Sequence, residues 1–128
     1  MAYLLDTNVA IHLRDGSAPV ADRIAALDGA ILISIVTRVE LEGGVHRDLV
    51  DTPLRLARLE ALLSAIPTLA FDDASADAYR AIVARVGYSR RKLLDRMIAA
   101  QALVHRATLV TMNPEDFADI VGLDLEAW

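Results

Sequence analysis

Short apolar runs alternate with longer amphipathic stretches along the whole chain, and that alternation leaves few folds open. Tyr3–Leu5, Ala30–Ile33, Thr68–Phe71 and Ala107–Thr111 read as buried strands, with a fifth short strand near Leu123–Leu125. Between them, helices are predicted from Thr7 to about Leu13, over Ala18–Leu27, and from Ser34 or Thr37 through Glu40 to Gly43-Gly44. Further helices are predicted along the apolar face of Leu54–Ile66, from Asp72 or Asp73 to Val86, and from Leu93 to about His105. Pro67 and Gly87 stop two of these, and Asn113-Pro114 opens a short helical turn. Strands interleaved with helices predict an α/β fold with a mostly parallel sheet of four to five strands. A length of 128 residues suits one domain, residues 1–128, with one core.

In a parallel sheet the strand ends that feed helices lie along one edge, where ligands bind. Asp6 follows the first strand, Glu40 follows the second, and Asp116 follows the turn after the fourth, so these three carboxylates are expected to converge. Asp95, early in a predicted helix, is a fourth candidate, although Arg91, Lys92 and Arg96 could instead hold it in a surface ion pair. Each acid also has a purely structural reading. Asp6 suits an N-cap, Glu40 the far half of a Thr37-x-x-Glu40 capping box, and Asp95 and Asp116 the first turn of a helix. As a cluster they repel one another unless protons or a cation neutralise them, and an all-oxygen donor set suits Mg²⁺ or Mn²⁺.

Composition narrows the function. There is no cysteine, which excludes disulfides and thiolate metal sites and makes a cytoplasmic location the simplest reading. The N-terminus lacks the pattern of a signal peptide and no apolar run approaches membrane-spanning length, so no membrane association is expected. A net charge of -5 argues against holding nucleic acid by bulk electrostatics. A local cationic feature is needed, and Arg90-Arg91-Lys92 is one candidate, its bland alternative being a solvated helix end. His12, His46 and His105 lack metal-ligand spacing, no Gly-rich phosphate loop follows the first strand, and Ser34 lacks the surroundings of a serine nucleophile. A phosphatase of the haloacid dehalogenase type needs a second Asp where Asn8 stands, and a receiver-type phosphoacceptor needs a Lys after the fifth strand that the chain does not supply.

Four motifs in order carry a family likeness. They are Leu4-Leu5-Asp6-Thr7-Asn8, the stretch from Ser34 to Gly44 around Glu40, Asp95-Arg96-Met97-Ile98-Ala99-Ala100, and Leu109 to Phe117 around Asp116. The chain resembles the PIN-domain ribonucleases, in particular the VapC toxins of bacterial toxin–antitoxin pairs, over nearly its whole length. The resemblance implies a three-layer α/β/α fold and Mg²⁺- or Mn²⁺-dependent hydrolysis of RNA phosphodiester bonds. It places Asp6, Glu40 and Asp95 at the main acidic positions and Asp116 at the more variable fourth. Thr7, Asn8, Thr111 and Asn113 fall in motif positions that could orient ligands or water. Asn113 stands where some relatives carry another Asp, which leaves open whether Asp116 ligates directly, through water or barely at all, with Glu115 as a lesser substitute. A VapB-like antitoxin is the implied partner, its C-terminal segment lying in an apolar groove formed by helices near the N-terminus and Leu54–Ile66, and a homodimer is the implied assembly. The competing reading is a non-catalytic PIN-fold domain that acts through a protein partner.

Overall fold

The structure is a computed structural model that describes residues 1–47 and 50–128. Its centre is β1 (Ala2–Leu5), whose alternate residues face opposite sides of the sheet, with Tyr3 and Leu5 in one core and Leu4 in the other. β1 pairs with β2 (Ala30–Ser34) on one side and β4 (Thr108–Thr111) on the other. The outer strands are β3 (Thr68–Leu69) beside β2 and β5 (Leu125–Ala127) beside β4. All four pairings are parallel, and the order is β3-β2-β1-β4-β5.

Helices cover both faces. α1 (Thr7–Arg14), α2 (Ala18–Ala25) and α4 (Thr52–Ala65) bury Val9, Val20, Leu59 and Leu62 against Tyr3, Leu5, Ile33 and Val110. α5 (Asp73–Val86) and α6 (Leu93–His105) bury Ile82, Ile98 and Ala99 against Leu4 and Leu109 on the other side, joined by Phe117. α3 (Ile35–Val45) serves both cores, Leu41 and Val45 in the first and Val36 in the second. The result is the three-layer α/β/α arrangement with a wholly parallel sheet. Such sheets are covered on both faces, so their central strands are apolar on both sides.

Several element ends differ from the sequence expectation. α3 does not stop at Gly43-Gly44 but runs through both to Val45. Its N-cap is Ser34, whose hydroxyl accepts from the Val36 N–H at 2.9 Å; Thr37 lies inside the first turn, so no Thr37–Glu40 capping box forms. β3 ends at Leu69 rather than Phe71, because the Leu69 and Ala70 carbonyls accept from the Gln101 side-chain amide at 3.1 and 3.0 Å. β5 begins two residues late, since Gly122 turns at φ 81° and Leu123 precedes the first pairing. Asp72, not Asp73, caps α5, through the Ser75 N–H at 2.9 Å, and α2 ends at Ala25 rather than Leu27. At the start of β2, Gly29 is required: a Cβ there would collide with the Met1 carbonyl oxygen, which accepts from the Ala30 N–H.

Candidate active site

The strand order reverses between β1 and β4, since the chain fills the β2–β3 side before crossing to the β4–β5 side. A crevice at such a reversal, outside the strand ends, is the expected ligand position in an open parallel sheet. Asp6 leaves β1 at that point. Its main-chain N–H is bonded to the Val110 carbonyl at 2.9 Å, its Oδ1 accepts from the Thr7 N–H at 2.6 Å as the N-cap of α1, and its Oδ2 accepts from the Thr111 hydroxyl at 2.8 Å. Thr111 ends β4, is fully buried, and also accepts from the Asn113 N–H at 3.0 Å. One hydroxyl therefore ties the turn after β4 to the carboxylate after β1.

A second chain of hydroxyls runs to α3. The Thr7 hydroxyl donates to Glu40 Oε1 at 2.8 Å and lies 3.0 Å from the Thr37 hydroxyl. Because Thr7 has a single hydroxyl hydrogen and Glu40 can only accept, Thr37 is the donor to Thr7. The order Thr37 to Thr7 to Glu40 orients the carboxylate from a fully buried anchor, Thr37. Thr37 was legible in the sequence only as a cap; no local pattern reveals its partner thirty residues away.

Electrostatics link these acids to the remaining two. The Asp95 carboxyl, half-buried in the first turn of α6, is pushed up to about 6, first by burial and then by Asp6, Asp116 and Glu40, against a smaller opposing effect of Lys92. Asp6 is also raised, by burial above all and by Asp116, while its bonds from Thr111 and Thr7 hold it down in part. Asp6, Glu40 and Asp116, from three other stretches of chain, thus all bear on Asp95. The ion pairs considered for Asp95 are not formed: Arg96 and Lys92 instead reach Asp119, at 3.2 and 3.8 Å. Arg96 is buried and also donates to the Gly87 carbonyl at 2.7 Å, so it binds the first turn of α6, which carries Asp95, both to the end of α5 and to the segment that follows the Pro114–Phe117 3₁₀ turn, which carries Asp116. Asn8 and Glu115 are exposed and point no hydrogen bond into this network among the described residues, and Asn113 enters it only through its main chain. Arg90 and Arg91 are exposed in the turn just ahead of Asp95.

The donor set is carboxylate only, with no His or Cys, which suits a hard divalent cation. Among the described residues, no three His, Asp or Glu side chains are grouped closely enough to hold a metal ion as they stand. Like charges in a partly dry pocket stand apart until a cation or protons neutralise them, and the raised Asp95 is the electrostatic mark of that repulsion. By donor chemistry the residues fit a divalent ion; by position they have to move inward to ligate it.

Residues 3–123 match the family model described as the PIN domain. The chain belongs to the PIN-domain family. PIN domains are nucleases, and they generally require a divalent metal. Among its relatives is the tRNA(fMet)-specific endonuclease VapC of Shigella flexneri, 33% identical over 132 residues that cover 100% of this chain and 98% of that protein. Among solved structures, VapBC2 from Rickettsia felis, bound to a DNA fragment from its promoter, aligns at a TM-score of 0.86 with 26% identity, covering 100% of this chain and 99% of the other. A toxin–antitoxin complex from Klebsiella pneumoniae aligns at 0.75 with 27% identity over 94% of each chain. The likeness to VapC endonucleases and VapBC complexes therefore spans the full PIN domain, both strand ends of the acidic crevice included.

Proposed function

We propose that this PIN domain is an endoribonuclease that acts as the toxin of a VapBC-type pair, with Asp6, Glu40, Asp95 and Asp116 holding Mg²⁺ or Mn²⁺. The observation that carries the assignment of these residues is the coupling of Asp95 to Asp6, Asp116 and Glu40 at the point where the sheet order reverses. A bound divalent ion would supply activation of water and neutralisation of charge on the scissile phosphate. The chain's own residues do the rest: Thr111 and the Thr7 N–H fix both oxygens of Asp6, and Thr7 aims Glu40. Asp95 remains the adjustable group: among the described residues it forms no ion pair, and its charge, disfavoured by burial and the other acids, is the one a cation would relieve most.

Transfer RNA is the substrate class to test first, because a full-length relative is named for it. A VapB-like antitoxin is the proposed partner, given that the structural neighbours include a toxin–antitoxin complex. Residues 1–128 are proposed to act as one domain, as a homodimer, in the cytoplasm; no helix among the described residues is long and apolar enough to cross a membrane. The test is to map 5′ ends in total RNA after brief production of the wild type and of Asp6→Asn. New ends that appear with the wild type alone support the reading. Identical ends with both, or none with either while the protein is folded, would leave a non-catalytic binding domain.

A further inference from the structure

Arg14, the last residue of α1, is a buried charge with an incomplete set of partners. Its side chain is only 6% exposed, and its Nε donates to Asp15 Oδ1 at 3.1 Å. No other hydrogen bond of the guanidinium is formed among the described residues. The side chain lines a cavity of about 300 Å³ whose wall also carries Thr7 and Glu40 from the acidic crevice. Arg47 and Arg55 line the same cavity, with Asp15 and Glu40 as its two acids. Gly44 lines it as well, with Arg14 Nη1 at ordinary contact distance, 3.5 Å, from where a Cβ would stand.

We propose that this cavity is a phosphate subsite, in which Arg14 receives a backbone phosphate of the RNA next to the one placed at the acidic crevice. The proposal rests on the ribonuclease reading and adds to it the means by which an acidic protein holds a polyanion. A guanidinium whose Nε is fixed by a carboxylate keeps a planar pair of donors on its free side, which matches two phosphate oxygens. A partly dry wall strengthens that contact. The shared Thr7–Glu40 lining makes the subsite continuous with the acids, so one strand can occupy both. RNA is favoured over an acidic protein segment because the cavity shares Thr7 and Glu40 with the crevice that the scissile phosphate would approach.

The test is filter binding of bulk tRNA and of a 12-nucleotide single-stranded RNA, in EDTA so that no RNA is cut, at several salt concentrations. Wild type is compared with Arg14→Gln and Arg14→Lys, and with Arg58→Gln, whose guanidinium lies outside the cavity wall and bonds the Asp15 carbonyl. Arg14→Gln is expected to weaken binding of both RNAs roughly tenfold, and to make the log–log salt dependence shallower by about 0.7, the value of one lost phosphate contact on a single strand. Arg14→Lys keeps the charge, so it restores the slope and part of the affinity, and Arg58→Gln changes neither. An unchanged slope and affinity in a folded Arg14→Gln overturns the subsite. Should Arg14→Gln fail to fold, Arg14→Lys decides, because loss of the planar fork alone must still weaken binding severalfold. Weaker capture of the antitoxin with RNA binding unchanged would also overturn it, in favour of a protein carboxylate as the ligand. If wild type cuts no RNA but the slope still falls with Arg14→Gln, the ribonuclease reading fails and the phosphate site stands.

Discussion

Thr7 has one hydroxyl hydrogen and two hydroxyl or carboxylate neighbours, so replacing it tests the direction of the whole relay. Thr7→Val keeps the shape and strands the buried Thr37 hydroxyl, with an expected loss of about 1–3 kcal/mol in urea unfolding. It also frees Glu40, so RNA cleavage should fall with it, whereas Thr7→Ser, which retains the hydroxyl, should recover most of both. At Asp95 the expectation is opposite for stability and activity. Removing a charge that burial and three acids disfavour should raise the melting temperature of metal-free Asp95→Asn above wild type at pH 8, while cleavage is lost. A melting temperature below wild type at pH 8 would mean that the carboxylate makes a stabilising contact which the structure does not contain.

The elements are held by two long side chains that reach across them. Gln101, fully buried on α6, is bonded through its amide to the carbonyls of Leu69 and Ala70, so it anchors the shortest strand to a helix. Gln101→Ala should cost about 2–4 kcal/mol, from two unsatisfied carbonyls and the space left behind, read by denaturant unfolding. This contact also explains which parts of the fold could be read in advance. β1 and β4 were legible because their own apolar residues fill both cores, which fixes Asp6 and the Thr111 turn at the strand ends. The end of β3 was not, because it depends on a helix residue more than thirty positions later. Nor was the extent of α3, which continues through Gly43 and Gly44 to Val45 although glycine is a poor helix former. The Arg96–Asp119 pair was hidden for the same reason: sequence neighbours suggested Asp95 as the partner, and only the packing of α6 beside the 3₁₀ turn selects Asp119.

For the molecule as a whole, the raised acids make stability and metal affinity depend on pH in a fixed direction. Asp6 and Asp95 both hold protons more tightly in the folded state than in the unfolded chain. Between the ordinary carboxylate range and about pH 6 the native state therefore binds more protons, so stability falls as pH rises through that window. Metal-free protein should melt higher at pH 5 than at pH 7.5 on account of these groups. Added Mg²⁺ or Mn²⁺ should reverse the order, stabilising strongly at pH 7.5, by about 2.7 kcal/mol at a hundredfold excess over its dissociation constant, and weakly at pH 5, where protons compete. Thermal melts across pH with and without metal check both halves. A metal effect that is equal at pH 5 and pH 7.5 would place the ion away from Asp95.

Because the crevice lies where the sheet order reverses, its two walls come from opposite halves of the polypeptide: Asp6 and Glu40 from the first, Asp95 and Asp116 from the second. During translation the early acids leave the ribosome long before the later ones, and β4 must dock on β1 before Thr111 can grip Asp6. On the proposed assignment, a nascent chain lacks half of its acidic wall, and with it the means to cut the RNA of the machine that is making it, until its second half has emerged and closed the sheet.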